Sequence, residues 1–337
     1  MGAAADPRPA RPLLAIEGVS VELPTPRGAL RAVAGVSLEL AAGRTLGIVG
    51  ESGSGKTMLS RAVARLLPRR AKLSGAVHFD GQNLAELDTE ALRRLRGRAL
   101  AFVFQDPMTS LNPVLTIGAQ IIETLREHLG LDRSAAVRRA IELLGQVGIP
   151  SPDQRLKQYP HQFSGGMRQR VAIAIALSCE PKLLIADEPT TALDVTVQAQ
   201  ILDLLAREQR RRRMAMILIT HDLGVVAGRT DEVAVMYAGR VVERAPTGTL
   251  FKAMRMPYTQ ALIAAIPKLD APPHTPLKAI SGLPPDLTRP SQGCAFAPRC
   301  AYASERCRQS PPPLSGDGGA QQFACWHPLG PTAVTAP

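Results

Sequence analysis

Alternating apolar and polar residues begin the foldable part of the chain. They cover Leu13–Leu23 and Ala29–Leu40, with a turn that contains proline and glycine between them at Pro24–Gly28. Because successive side chains of a strand point to opposite faces, this pattern predicts a pair of strands. The apolar run Thr45–Val49 predicts a buried strand, and Met58–Leu67 has the spacing of a helix. The pair of strands therefore leads into a strand–loop–helix unit.

The period of the apolar residues changes twice farther along the chain. A helical period covers residues 112–180, between stretches of short apolar runs that are typical of strands. This order predicts an α/β fold: a mostly parallel sheet with an antiparallel β subdomain and an inserted helical subdomain at about 107–180. The predicted strands are Leu73–Phe79, Ala99–Phe104, Lys182–Asp187, Met214–Thr220, Val233–Tyr237 and Arg240–Arg244. The predicted helices are Ile117–Leu129, Ser134–Val147, Gly166–Cys179 and Val195–Arg211.

Composition changes near the two ends of the chain. Residues 1–12 are rich in proline and lack the apolar segment of a secretory signal, so a disordered tail is predicted there. After Pro267, prolines and cysteines accumulate. We therefore expect a main domain at 13–255 and a small, loop-rich C-terminal domain at 256–337. No run of about 18 apolar residues is present, so no membrane span is predicted.

Net charge and aromatic content do not identify the binding partner of the protein. The net charge of +11 would suit nucleic acid, an anionic membrane surface or a nucleotide. The arginine run Arg210–Arg213 lies at a predicted helix end, where cations stabilise the last carbonyls, and this explanation is preferred to a nucleic-acid patch. With 4% aromatic residues, the core must consist mainly of Leu, Ile, Val and Ala.

A glycine-rich loop follows the buried strand Thr45–Val49. Its sequence, GESGSGKT, matches Gly, any four residues, Gly, Lys and Ser or Thr. Backbone N–H groups in such a loop bind phosphate at a helix N-terminus. Lys56 is expected to reach the β- and γ-phosphates and the Thr57 hydroxyl to ligate Mg²⁺. The predicted nucleotide site consists of Gly50, Glu51, Ser52, Gly53, Ser54, Gly55, Lys56 and Thr57.

Polar side chains follow three of the predicted strands. Asp187 ends one strand and is a candidate Mg²⁺ ligand, and Glu188 follows it as a candidate general base. Gln105 is a candidate contact to Mg²⁺ and to the attacking water. His221 is a candidate sensor of the γ-phosphate. Solvated acids and a packed histidine would be the ordinary interpretation, but the phosphate loop upstream favours a catalytic site.

A second anion-binding segment is predicted at Ser164, Gly165 and Gly166. Small residues before a helix N-terminus leave backbone N–H groups available to an anion. The ordinary alternative is an N-cap at Ser164, which is worth ~1 kcal/mol. The helical subdomain would hold this segment away from the phosphate loop of the same chain. We therefore expect a second chain to bring such a segment to the γ-phosphate.

In their order, these motifs resemble those of ABC-transporter ATPases. The motifs are GESGSGKT, Gln105, FSGGM at Phe163–Met167, LLIADE at Leu183–Glu188, TALD at Thr191–Asp194 and His221. Four longer segments look like the oligopeptide/dipeptide importer subfamily: QDPMTSLNP (Gln105–Pro113), HQFSGGMRQRVAIAIAL (His161–Leu177), DEPTTALDVTVQAQIL (Asp187–Leu202) and PYTQALIAAIP (Pro257–Pro267). Met167 and the cysteine-bearing tail resemble the D-type subunit of that subfamily.

The resemblance implies a P-loop NTPase with an ABC ATPase core that binds ATP and Mg²⁺. It implies a head-to-tail heterodimer with an F-type ATPase, on the cytoplasmic face of two membrane permease subunits. A substrate-binding protein outside the cytoplasm would act through the permeases, and no nucleic acid would be bound. Asp194 would cross the dimer interface, and the segment after Gln105 would receive a permease helix.

Two other functions remain open at this point. A soluble ABC ATPase that acts on nucleic acid or ribosomes would suit the charge, but such proteins usually carry two cassettes and lack this tail. Another cargo, such as nickel, opines or glutathione, would stay within the subfamily, because the ATPase does not touch the cargo. Members of the family often stack adenine on an early aromatic residue, whereas Leu23 stands where one is expected. Adenine stacking is therefore not expected.

Four cysteines crowd the tail. Disulfides are disfavoured because a cytosolic ATPase keeps its thiols reduced. Zinc could bind four thiolates, but the cysteines are separated by five, six and seventeen residues, unlike the short pairs of zinc ribbons. The resemblance to the D-type tail implies a [4Fe–4S] cluster on Cys294, Cys300, Cys307 and Cys325, with zinc as the alternative. Cys179 is expected to be a core residue. The tail lies too far in sequence from the phosphate loop for a role there to be assumed.

Overall fold

The computed structural model describes residues 11–106, 110–191, 193–266, 279–289, 291–316 and 318–330. Most of the predicted N-terminal tail, residues 107–109 of the QDPMTSLNP segment, Ala192 of TALD and the prolines at 272 and 273 lie outside this part. Within it, no helix is long and apolar enough to cross a membrane.

Over the described ranges, the strands form two sheets. They are β1 (Leu14–Thr25), β2 (Gly28–Leu40), β3 (Thr45–Val49), β4 (Lys72–Phe79), β5 (Gln82–Asn83), β6 (Leu100–Val103), β7 (Leu183–Asp187), β8 (Ala215–Thr220), β9 (Glu232–Tyr237), β10 (Arg240–Pro246), β11 (Ser315–Gly316) and β12 (Gln322–Phe323). One sheet has the order β2-β1-β4-β5 and the other β11-β12-β10-β9-β3-β8-β7-β6. The first is antiparallel, and the second is parallel from β9 to β6. The predicted α/β architecture is therefore confirmed.

Two hydrophobic clusters cover the parallel strands. Every residue of β7 and of β8 is buried, as expected for strands that are covered on both faces. One cluster contains the β1–β2 pair and the helix after β3, and the other contains the helical subdomain. Parallel strands end at the same edge of a sheet, so β3, β7 and β8 bring the residues that follow them close together.

All of the predicted helices are present with small differences at their ends, and several short helices were not predicted. The α-helices are Lys56–Val63, Thr89–Leu95, Ile117–Leu129, Arg133–Gln146, Pro152–Arg155, Gly165–Leu177, Val195–Arg212, Leu223–Val226, Thr247–Lys252, Pro257–Ala264 and Glu305–Gln309. The first ends earlier than the predicted Leu67, because Arg65 adopts a left-handed conformation with φ 55°. Thr89–Leu95 was not predicted; it begins at Asp88, whose side chain accepts a hydrogen bond from the Ala91 N–H at 2.7 Å.

The C-terminal segment pairs with the main sheet through two short strands. β12 pairs with β10 in antiparallel register, and β11 pairs with β12. The fully buried Glu243 of β10 accepts hydrogen bonds from the N–H groups of Arg255 (2.6 Å) and Met256 (3.2 Å) and from the Gln321 amide (2.9 Å). Burial raises the pKa of Glu243. Two-residue strands have no apolar alternation to reveal them, so the sequence did not predict this attachment.

Candidate functional site

The phosphate loop is a tight turn around a buried lysine. Lys56 is 4% exposed, and its Nζ donates to the carbonyls of Gly50 (2.6 Å) and Glu51 (2.9 Å). Burial lowers the pKa of Lys56, against the opposing effect of nearby carboxylates. Gly55 has φ 102°, and a Cβ there would lie 2.2 Å from the Ala32 carbonyl oxygen. Only glycine fits this position without movement of the backbone.

The chemistry of this loop fits an anionic phosphate. A buried ammonium group is unfavourable without a counter-charge, and the phosphates of a nucleotide would supply one. In the part of the chain that is described, the buried hydroxyl of Ser54 has no hydrogen-bond partner. The loop therefore holds a cation and an available hydroxyl where the sequence predicted a nucleotide site.

Thr57 and Asp187 meet beside the loop. The Thr57 hydroxyl donates to Asp187 Oδ1 at 3.2 Å, and the Ser60 hydroxyl lies 3.5 Å from Oδ2. Asp187 is 2% exposed, and burial raises the pKa of its carboxyl group. An alcohol oxygen and a carboxylate are ligands that suit Mg²⁺. The two predicted ligands are thus in contact, whereas Gln105 contacts a different carboxylate.

Glu188 is the centre of the predicted catalytic group. Its Oε2 accepts hydrogen bonds from Gln105 Nε2 (3.1 Å) and the Thr191 hydroxyl (3.0 Å), and it lies 3.3 Å from His221 Nδ1. Glu188 has φ 45°, a left-handed conformation that costs a residue other than glycine about 1–3 kcal/mol and is common in active sites. The structure brings Gln105, Glu188 and His221 together. Thr191 was not predicted as a site residue, although it lies in the TALD motif.

The Ser164 segment contacts the helix that begins after Asp194. Ser164 caps Gly165–Leu177 and accepts a hydrogen bond from the Met167 N–H at 3.3 Å. A Cβ on Gly166 would lie 2.6 Å from Val197 Cγ1, and Asp194 Oδ1 accepts a hydrogen bond from the Val197 N–H at 2.9 Å. Among the described residues, no hydrogen bond joins Ser164, Gly165, Gly166 or Asp194 to the phosphate loop.

The C-terminal segment reaches the phosphate loop, which the sequence did not predict. Arg299 forms a two-pronged ion pair with Glu51, with N–O distances of 2.7 and 2.9 Å. The buried Tyr258 hydroxyl accepts a hydrogen bond from the Glu51 N–H at 2.9 Å. An isolated arginine in a proline-rich segment carries no periodic signal, so its partner could be found only from the fold.

The four tail cysteines line one small apolar cavity. The Cys294 N–H donates to the Cys307 carbonyl at 2.7 Å. Burial raises the pKa values of Cys294 and Cys300, and it raises the pKa of Cys325 to about 11 with a smaller contribution from the other three cysteines. The four donors fit the chemistry of a four-thiolate group. However, no group of three or more His, Cys, Asp or Glu side chains within the described ranges is spaced to hold a metal ion.

Comparison with known proteins gives two family matches. Residues 33–191 match the ABC transporter family, and residues 242–307 match the oligopeptide/dipeptide transporter C-terminal region. A solved structure of a post-hydrolysis dimer of the ATP-binding cassette MJ0796, bound to ADP and Pi, aligns with a TM-score of 0.63 at 27% identity. This alignment covers 69% of this chain and 98% of the cassette.

Relatives of similar length align over most of the chain. The oligopeptide transport ATP-binding protein OppD of Bacillus subtilis is 47% identical over 323 residues, which are 95% of this chain and 90% of OppD. The dipeptide transport ATP-binding protein DppD of Escherichia coli is 49% identical over 289 residues, which are 85% of this chain and 88% of DppD. The similarity thus includes both the phosphate loop and most of the C-terminal segment.

Proposed function

Because the chain belongs to the oligopeptide/dipeptide family of ABC transporter ATP-binding proteins, we propose that its Glu188-centred site hydrolyses ATP to drive peptide import. The protein is an ATPase, the ATP-binding subunit of a peptide importer. The observation that carries the proposed site is the convergence of Gln105, Thr191 and His221 on one carboxylate oxygen of Glu188. Such a carboxylate, held at the edge of the sheet that presents the phosphate loop, is placed to take a proton from water.

The proposed roles divide the site into binding and hydrolysis. Lys56 and the backbone of Gly50–Thr57 bind the phosphates, while Thr57 and Asp187 hold Mg²⁺. Mg²⁺, when bound, supplies positive charge to the phosphate oxygens. Glu188 polarises the attacking water, Gln105 orients it, and His221 contacts the γ-phosphate. Gln105 is also proposed to contact Mg²⁺ once nucleotide is bound.

The proposed assembly is a head-to-tail heterodimer with an F-type ATPase. Ser164, Gly165 and Gly166 would serve the partner's site, and Asp194 would cross the interface. Two observations support this: the segment makes no hydrogen bond to its own phosphate loop among the described residues, and Val195 beside Asp194 is 83% exposed. The similar cassette MJ0796 is itself dimeric in its solved structure.

Membrane permeases are the proposed second partners. Exposed apolar side chains flank the segment after Gln105, namely Phe104 at 42% and Val114 at 75% exposure. Exposed apolar residues of this size are suited to cover by another protein. Two permease subunits, contacted here at the cytoplasmic face of the membrane, would connect the ATPase to an extracytoplasmic substrate-binding protein. Nucleic acid has no part in this proposal.

The isolated chain is expected to hydrolyse ATP poorly, because its phosphate loop lacks the segment supplied by a second chain. Adding the F-type subunit and the permeases should raise ATP hydrolysis per site by at least ~100-fold. Loss of a single group that stabilises a transition state typically slows an enzyme by about this factor. The measurement compares phosphate release by the purified chain and by the co-purified complex. A Gly165→Trp variant of this chain should mainly slow the partner's site. Equal turnover by the chain alone and by the complex would contradict the head-to-tail assembly.

The proposal extends to a [4Fe–4S] cluster on the four tail cysteines. A single zinc ion needs its ligands close together at Zn–S distances of ~2.3 Å, whereas a cubane cluster carries one thiolate on each of four irons. The convergence of the four cysteines on one small cavity supports a four-thiolate group at this place. Its proposed role is structural or redox-sensing.

The chain purified without oxygen is expected to be brown and to contain about four irons. Cys307→Ser should lower the iron content and the melting temperature, because ligand bonds contribute to the folding of this segment. Cys179→Ser is the matched control; this buried cysteine lies outside the cavity and should leave the iron content unchanged. Elemental analysis measures the iron and zinc content per chain, and absorbance near ~400 nm detects the thiolate-bound iron. Colourless protein that contains one zinc per chain would contradict the cluster and favour a four-thiolate zinc site instead.

A further inference from the structure

A buried ion pair connects the cysteine segment to the phosphate loop. The Arg299 side chain is 4% exposed and that of Glu51 is 26% exposed, and the two groups form two short N–O contacts. We propose that Arg299 is a positioning residue for nucleotide binding: it fixes Glu51 and neutralises a carboxylate that would otherwise repel the phosphates. This inference rests on the proposed nucleotide site at Gly50–Thr57.

The guanidinium group of Arg299 is held from several sides. Its Nε donates to the Ser281 carbonyl at 2.8 Å, and a terminal nitrogen donates to the Ile280 carbonyl at 3.2 Å. The other terminal nitrogen lies 3.3 Å from the Tyr237 hydroxyl. An arginine whose planar group is bonded on every side has one orientation, so it presents a fixed pair of donors to Glu51.

Glu51 is held by the C-terminal region through its backbone as well. Its N–H donates to the hydroxyl of Tyr258, a side chain that is fully buried. The Tyr258 ring packs against Tyr237 and Phe296, with centroid distances of 4.5 and 5.2 Å. The carbonyl of the same Glu51 accepts from Lys56 Nζ. Residues distant in sequence therefore determine the position of a loop residue that also bonds the phosphate-binding lysine.

The charge of Glu51 explains why its partner matters for binding. A carboxylate within the phosphate loop carries the same sign of charge as a polyphosphate and repels it. The pair with Arg299 offsets this repulsion. Removal of Arg299 would leave the carboxylate uncompensated beside the ligand, which predicts weaker nucleotide binding rather than a change in chemistry.

The arginine also belongs to the loop between the first two tail cysteines. Ala297–Arg299 is a 3₁₀ turn, in which the Cys300 N–H donates to the Ala297 carbonyl and the Ala297 N–H to the Cys294 carbonyl. A change in the path of this short loop must move Arg299. The Arg299–Glu51 pair therefore connects the geometry of the cysteine segment to the phosphate loop.

Suppression by a second substitution tests this inference in the full chain. Arg299→Gln is expected to weaken MgATP binding roughly tenfold, as for loss of one charge-assisted pair. Glu51→Gln alone should strengthen MgATP binding, because it removes the repelling charge. The double variant should recover an affinity within about twofold of the parent, because the two changes are coupled. Arg299→Lys, which keeps the charge but not the planar fork, should lie between the parent and Arg299→Gln.

Calorimetric ATP affinity and melting temperature are measured together. The matched control is Arg244→Gln, which breaks a part-buried pair with Glu232 in the same sheet and should leave ATP affinity unchanged. Weaker binding by Arg299→Gln that Glu51→Gln does not restore would show a merely structural role and overturn the inference. So would parental affinity in Arg299→Gln. If Arg299→Gln does not fold, the ATP affinities of Arg299→Lys and of Arg299→Lys combined with Glu51→Gln are compared instead. Weaker binding by Arg299→Lys that Glu51→Gln does not restore, or parental affinity in Arg299→Lys, would overturn the inference. Lys56→Ala distinguishes failure of the Arg299 inference from failure of the proposed nucleotide site. Parental ATP affinity in Lys56→Ala would reject the nucleotide site itself.

Discussion

Glu188→Gln is expected to slow ATP hydrolysis by the assembled importer about 10²–10⁴-fold while ATP still binds, the range that a general base contributes. The amide has the shape of the carboxylate and can accept hydrogen bonds from Gln105 and Thr191, so the site keeps its geometry. It cannot take a proton from water at neutral pH. Glutamine also meets the same backbone strain at φ 45°, so stability should change little.

The measurement is single-turnover hydrolysis together with ATP affinity in the same preparation. Glu142→Gln is the matched control, because it removes an exposed carboxylate on the helical subdomain whose side chain is 59% exposed. It should hydrolyse ATP at the parental rate. The Glu188→Gln complex should instead retain ATP and stay in a closed dimer with its partner. Parental turnover in that complex would reject Glu188 as the base.

The longer strands and the candidate catalytic residues could be identified from the sequence because their signals are local. Thr45–Val49 was predicted with the bounds that the structure gives, since an apolar run before a glycine-rich loop has few other interpretations. Glu188 and His221 follow buried strands, and the parallel order of those strands brings them together. The mutual geometry of such residues follows from the strand order, which the structure supplies.

The contacts of the C-terminal segment could not be predicted, because they depend on tertiary structure. Glu243 is a buried carboxylate with backbone partners, and nothing in its neighbouring sequence separates it from a solvated glutamate on an edge strand. Arg299 and Glu51 are 248 residues apart, and neither lies in a repeating pattern. Short strands such as β12 acquire their hydrogen bonds from β10 rather than from any propensity of their own.

Lys56→Ala is expected to weaken ATP binding by roughly 10–100-fold, the value of one or two hydrogen bonds to a charged group. The lysine is buried in the loop, and its ammonium group donates to the backbone carbonyls of Gly50 and Glu51. We expect the phosphates of ATP to supply its counter-charge. Burial lowers the pKa of this ammonium group, which means that the folded state disfavours its charged form. Alanine removes that cost together with the two hydrogen bonds, so we expect the melting temperature to change little while the affinity falls.

Calorimetry with MgATP at neutral pH, paired with a thermal melt, separates loss of the ligand contact from loss of the fold. Lys182→Ala is the matched control, because that lysine pairs with Asp80 and its side chain is 58% exposed. An exposed pair of this kind contributes at most about 1 kcal/mol to stability and nothing to a distant ligand. We expect parental ATP affinity in Lys182→Ala. Parental affinity in Lys56→Ala would instead mean that the phosphates bind elsewhere, and the roles proposed for Thr57 and Asp187 would fail with it.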